Sequence, residues 1–276
     1  MTGQITKIIS NLYTVTTDDG NSFDCHSRGK FRNMNITPLV GDYVEFNYKD
    51  KYIMKILQRK NTLIRPMVAN VDQAIIITSL KNPDFSTNLL DKLIAVMEFY
   101  KVKPIICITK MDLLENSKLQ KVKEIMTYYK EIGYQVFYND EIDKIKKIFK
   151  NKTTVFTGQT GAGKSTLLNK LDKNLNLKTG EVSIALGRGR HTTRHVELIN
   201  ILGGKVLDTP GFSSLSFEHI PKENIKDLFI EFKNYPCKYK DCNHIDEKEC
   251  NLKKEVEQNN ILVTRYENYK KIMESR

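Results

Sequence analysis

Eight consecutive residues, Gly158-Gln159-Thr160-Gly161-Ala162-Gly163-Lys164-Ser165, leave this chain few folds to choose from. They fit the pattern G-x-x-x-x-G-K-[ST] in full. A β-rich run, Thr153–Thr157, precedes them, and a helix-like run, Ser165–Leu171, follows. A strand, a glycine loop and a helix in that order turn successive backbone N–H groups into one concavity. The helix N-terminus adds partial positive charge, so a nucleotide's phosphates fit there. Lys164 is expected to neutralise β- and γ-phosphate oxygens, and Ser165 to ligate Mg2+, with Thr166 next in the same helical turn.

A second segment selects the base. Thr109-Lys110-Met111-Asp112 closes the apolar run Val102–Thr109, at the strand end where open α/β sheets bind ligands. A carboxylate there accepts from guanine N1–H and N2–H₂, a donor pair that adenine lacks, so Asp112 is expected to select guanine. Lys110 is expected to lie over the base. Asp208-Thr209-Pro210-Gly211, after Lys205–Leu207, fits D-x-x-G. Asp208 is expected to hold Mg2+ through water and the Gly211 N–H to meet the γ-phosphate. The basic, glycine-rich stretch Gly187-Arg188-Gly189-Arg190-His191-Thr192-Thr193-Arg194 falls where a first switch loop belongs, with Thr192 or Thr193 completing the magnesium shell. Phe212 stands where many GTPases carry a water-orienting Gln. A phenyl ring cannot orient water, so intrinsic hydrolysis should be slow and the catalytic group should come from elsewhere. His191 is the candidate, with His195 close in sequence.

The order of these segments is unusual. The base motif at 109–112 precedes the phosphate loop at 158–165, so the domain is expected to be a circularly permuted GTPase. The second switch, after Gly211, then leads directly into the C-terminal part of the chain. A switch tied to a separate module can move that module when the γ-phosphate leaves.

The flanks have different textures. Five short β-like runs, Gln4–Ile9, Leu12–Thr17, Ser22–His26, Tyr43–Tyr48 and Tyr52–Leu57, suit a small closed barrel of the OB-fold type over residues 1–60. Its loop Ser27-Arg28-Gly29-Lys30-Phe31-Arg32 combines three cations with an aromatic ring, which suits phosphate binding and base stacking. Residues 61–220 alternate apolar strands (Val71–Thr78, Val102–Thr109, Thr153–Thr157, one or two within Val196–Leu207) with helices (Asn88–Tyr100, Leu113–Ile132), as a parallel α/β sheet requires. Residues 221–276 read as mostly helical, and Leu252–Met273 carries an amphipathic stripe.

Forty-four basic against 33 acidic side chains give a net charge of +11, which points to an anionic partner, nucleic acid or a membrane surface. No apolar run approaches the roughly 18 residues of a membrane span. The amino-terminal residues also lack the apolar stretch of a signal peptide. We therefore expect a cytoplasmic monomer with no membrane partner. Five cysteines are a poor disulfide framework. Three of them join a histidine in Cys237-x4-Cys242-x-His244-x5-Cys250, a ligand set that closes a tetrahedral, structural zinc site. Cys25 and Cys107 fall within strands and read as core thiols.

Permuted order, N-terminal barrel and C-terminal Cys/His cluster together resemble the ribosome small subunit-dependent GTPase A family over nearly the whole chain. The resemblance includes G-Q-T-G-A-G-K-S-T-L-L-N at 158–169, G-R-G-R-H-T-T-R at 187–194, D-T-P-G-F at 208–212 and A-N-V-D-Q at 69–73. It implies a slow GTPase, stimulated by the small (30S) ribosomal subunit and its rRNA, acting late in that subunit's maturation. It implies zinc on Cys237, Cys242, His244 and Cys250, and it too points to His191. Two positions depart from the common pattern. Tyr138-Asn139-Asp140 stands where a guanine-contacting loop carries small residues, and Thr109 replaces the commoner Asn, though its hydroxyl can still brace the loop. The rival readings are a translation or transport GTPase, and a GTP-gated RNA-binding scaffold without stimulated turnover.

Overall fold

The computed structural model describes residues 1–29, 31, 36–64, 66–175, 196–208 and 219–275. They form two compact units. One comprises Met1–Ala74, Glu141–Phe156 and the described residues between Lys164 and Asp208. The other comprises Ile75–Asp140, Thr157–Gly163 and the described residues from 219 onward.

The first unit opens with five strands, β1 (Thr2–Ile9), β2 (Leu12–Thr16), β3 (Ser22–Ser27), β4 (Tyr43–Asn47) and β5 (Tyr52–Ile56). They pair in the order β1-β2-β3-β5-β4, and β4 returns to β1, so the sheet closes on itself. The alternation of side chains supplies the reason. Ile5, Val15, Cys25, Val44, Phe46 and Ile53 all point inward and are fully buried. Register shifts at Ile5/Lys7 and Glu45/Phe46 bend the two strands where the barrel closes. A separate hairpin follows, β6 (Thr62–Ile64) and β7 (Met67–Ala69).

The same unit holds most of β11 (Thr153–Gly158), the helix that follows the phosphate loop, and β12 (Glu197–Ile201) with β13 (Gly204–Asp208). β11 and β13 run parallel, but β12 and β13 are antiparallel. The expected parallel sheet is therefore mixed here, and β12 pairs antiparallel with β1 of the barrel as well. Only Leu202 and Gly203 connect β12 to β13, at φ of 50° and 72°. A two-residue link with both φ positive makes a tight hairpin and cannot make a parallel crossover.

In the second unit β8 (Gln73–Ser79, from Ile75 on) neighbours β9 (Lys103–Thr109), which runs parallel to β10 (Gln135–Tyr138). Helices α1 (Thr87–Phe99) and α2 (Asn116–Glu131) make the two crossovers. Their apolar faces and the β9 side chains share one core, including Leu90, Leu93, Ile94, Ile106, Ile108, Val122 and Met126. Among the described residues, the remaining α-helices are α3 (Ile142–Lys147) and α4 (Lys164–Leu171) in the first unit, and α5 (Asn251–Glu257) and α6 (Val263–Glu274) in the second. The amphipathic stripe over Leu252–Met273 is thus two helices, not one. Asn259, at φ 61°, ends the first, and Asn260 turns its amide onto Glu255 at 2.7 Å. Among the described residues, no helix is long and apolar enough to cross a membrane.

Candidate nucleotide and metal sites

β11 delivers the chain to the phosphate loop at Gly158. The backbone there has φ of 136°, and a Cβ would stand 2.2 Å from the Ile77 carbonyl oxygen. Only glycine fits that approach. Gln159, Thr160 and Gly161 follow as the open part of the loop, and Ala162 is buried. Gly163 turns the chain at φ 99° into α4, whose first residues are Lys164, Ser165 and Thr166. Leu167, Leu168 and Leu171 bury the opposite face of that helix and fix its direction.

Thr109 ends β9 and is buried. Its hydroxyl donates to the Ala162 carbonyl at 2.6 Å, joining the two sequence motifs within one unit. Lys110 follows at φ 57°, and its ammonium donates to the Asn82 carbonyl. Met111–Leu113 then form a single 3₁₀ turn, which leaves Asp112 exposed. The segment after β10 is tied back to the same strand, since the Asn139 N–H donates to the Ile108 carbonyl at 2.9 Å. Asp208 is the last residue of β13. His191, Thr192, Thr193 and Gly211 lie outside the described residues, as do Phe212 and, in the barrel loop, Lys30 and Arg32.

The four metal-ligand candidates converge. Nδ1 of His244 lies 3.4 Å from Sγ of Cys237, of Cys242 and of Cys250, and the Cys237 and Cys250 sulfurs are 3.6 Å apart. A tetrahedral ion with bonds of about 2.3 Å to sulfur and about 2.0 Å to nitrogen spaces its donors roughly 3.5–3.8 Å apart. The donor set and its dimensions therefore fit a metal ion. Burial, with Lys226 second, holds the His244 ring below its ordinary pKa and so keeps it a neutral ligand. Burial pushes the Cys242 thiol up to about 12, so ionising it calls for a cation at its sulfur.

Helix α6 and its neighbours shape this loop through its backbone. Tyr266 and Tyr269 donate their hydroxyls to the His244 and Asn243 carbonyls at 2.7 and 2.5 Å. The Lys226 ammonium reaches the Lys240 and Cys242 carbonyls, and Glu247 accepts from the Asn243 and Ile245 N–H groups. None of these supports was legible as a site residue, nor was Asn82, because each acts on main-chain atoms and leaves no spacing signature.

Residues 56–218 match the family described as RsgA GTPase, and residues 2–53 match the RsgA N-terminal domain. "Small ribosomal subunit biogenesis GTPase RsgA 2" of Oceanobacillus iheyensis is 47% identical, over 99% of this chain and 96% of that protein. A protein of the same name from Listeria monocytogenes is 48% identical, over 99% and 96%. Among solved structures, YloQ, described as a circularly permuted GTPase, matches with a TM-score of 0.84 and 39% identity over 99% of this chain and 94% of its own. YjeQ from Thermotoga maritima matches with a TM-score of 0.87 and 35% identity, over 99% and 97%. A phosphate loop that follows its base motif in sequence, between a closed five-stranded barrel and a Cys/His module, defines a circularly permuted P-loop GTPase. Within that class the chain belongs to the RsgA GTPase family.

Proposed function

We propose that this chain is a GTP-hydrolysing assembly factor that binds the small ribosomal subunit and its rRNA and assists late maturation, hydrolysing GTP slowly until the subunit stimulates it. The observation that carries the reading is the bond from Thr109 to Ala162, which supports taking the base motif and the phosphate loop as one site. Curated relatives covering almost the whole chain carry the same activity in their names, which supports it over a scaffold without turnover.

In this reading Gly158–Gly163 wrap the phosphates with backbone N–H groups, Lys164 neutralises β- and γ-oxygens, and Asp112 selects guanine while Lys110 covers the base. Ser165, Asp208 and Thr192 or Thr193 would hold Mg2+, which supplies charge neutralisation between the β- and γ-phosphates when bound. The Gly211 N–H meets the γ-phosphate. His191 orients or deprotonates the attacking water on the subunit, where Arg188, Arg190 and Arg194 bind rRNA phosphates. Cys237, Cys242, His244 and Cys250 hold one structural zinc ion, for three thiolates and an imidazole in a closed tetrahedron leave no ligand position for chemistry.

Three parts divide the work: a barrel over 1–60 for RNA, a GTPase domain over 61–220, and a zinc module over 221–276. The protein acts as a cytoplasmic monomer on the subunit. Single-turnover GTP hydrolysis on saturating subunits tests the assignment of the catalytic group. His191→Ala should bind GTP and subunits normally but lose on the order of 10²-fold in stimulated rate. A rate within about threefold of wild type would move the role to His195 or to the RNA.

A further inference from the structure

Arg265 of α6 is fully buried and holds two buried carboxylates. Its Nη1 donates to Asp91 of α1 at 2.5 Å, while Nε and Nη2 donate to the two oxygens of Glu231. Its guanidinium lies against the rings of Phe229, Tyr129 and Tyr134, with centroids at 4.6, 5.3 and 5.7 Å. Asp91 also accepts from the Tyr129 hydroxyl of α2 and from Asn268 of α6.

These partners are not a random sample of the unit. α1 precedes β9 and α2 follows it, so both flank the Thr109–Asp112 motif in sequence, and Tyr134 stands at the entry to β10, whose exit is bonded to β9. Met111 and Leu114 pack on the core that α1, α2 and β9 share. The loop leading into α1 supplies the Asn82 carbonyl that receives Lys110, and the Leu80 N–H donates to the Thr109 carbonyl. Carboxylates and rings from separate elements thus meet at one guanidinium. A buried ion cluster of this kind adds little net stability over an apolar packing of equal volume, but it admits one docking geometry.

We propose that Arg265 is a positioning residue for guanine recognition: the last helix fixes α1 and α2, and through them the strand end and loop that present Lys110 and Asp112 to the base. This rests on the reading of Asp112 as the guanine-selecting group. The phosphate loop has a further support of its own, the close approach of Gly158 to Ile77, besides its bond to Thr109.

The test uses the full-length protein and competition binding with GDP, XDP and inorganic pyrophosphate. Arg265→Met should weaken GDP on the order of three- to thirtyfold and pyrophosphate by clearly less, since the loop keeps its support at Gly158. Arg265→Lys, which keeps the charge but loses the fork, should give a smaller loss of the same base-dependent kind. Asn268→Ala leaves the Arg265–Asp91 pair in place and carries the test if Arg265→Met does not fold. Equal losses for GDP and pyrophosphate, or no loss for either in folded Arg265→Lys and Asn268→Ala, would overturn the inference. A wild-type protein that binds GDP and XDP alike would overturn the guanine reading and the inference with it.

Discussion

The Thr109 hydroxyl donates to the Ala162 carbonyl at 2.6 Å across 53 residues of sequence. That bond ties the strand end bearing the base motif to the phosphate loop, and it is made by a residue type that departs from the commoner Asn. A short β-branched side chain is restricted at χ1, so the brace is stiff. Thr109→Val keeps the shape and removes the donor, leaving a buried carbonyl unpaired. GDP should bind about tenfold more weakly, as read by fluorescent-nucleotide titration, and Thr109→Ser should restore most of the affinity. A Thr109→Val protein with wild-type affinity would show that the bond does not support the site.

Base selection should invert at Asp112. An amide in its place can donate to the xanthine carbonyl and loses the double acceptor that guanine needs. Asp112→Asn should weaken GTP and favour XTP. The carboxylate is exposed, so the substitution should leave the melting temperature close to wild type. Unchanged GTP affinity would remove Asp112 from the site.

A metal ion held by the Cys/His loop should be released in acid. The loop's histidine has a folded-state pKa below the ordinary value of 6.5, because burial disfavours the imidazolium. The folded loop then binds fewer protons than the unfolded one. Its stability is complete above pH 6.5 and is lost as pH falls through the lower folded value. Proton competition for the thiolates acts in the same direction. One zinc per chain should be found at about pH 7.5, and release to a chromophoric chelator should grow as pH falls from about 6.5 toward about 5. Cys242→Ser should lower the content at every pH. Release that does not vary with pH would contradict this account.

The fold was legible where the signal is local. Alternation set the five barrel strands to within a residue or two, because one face of each is buried. The phosphate loop and the Cys/His spacing were legible for the same reason, since both are contiguous. Long-range partners were not. Asp91 and Arg265 are 174 residues apart, and an arginine beside Tyr266 reads as a solvated helix residue. Only the folded chain shows that it sits between two carboxylates and three rings. The antiparallel β12–β13 hairpin was equally hidden, because an apolar run in an α/β chain carries no mark of its direction.

The barrel loop should contribute sequence-independent affinity for RNA. Arg28→Ala, Lys30→Ala and Arg32→Ala together should weaken subunit binding. The slope of log affinity against log salt should fall by about one for each phosphate that the loop no longer neutralises. GTP affinity should not change. An unaltered slope would make the loop a solvated turn.

The measurement that bears most directly on the whole account is GTP hydrolysis with and without purified small ribosomal subunits, at saturating subunit and limiting nucleotide. The account predicts slow turnover by the free protein and acceleration on the order of 10²-fold or more on the subunit. The same rate in both conditions, with binding verified by sedimentation, would contradict it and leave a GTP-gated binder in its place.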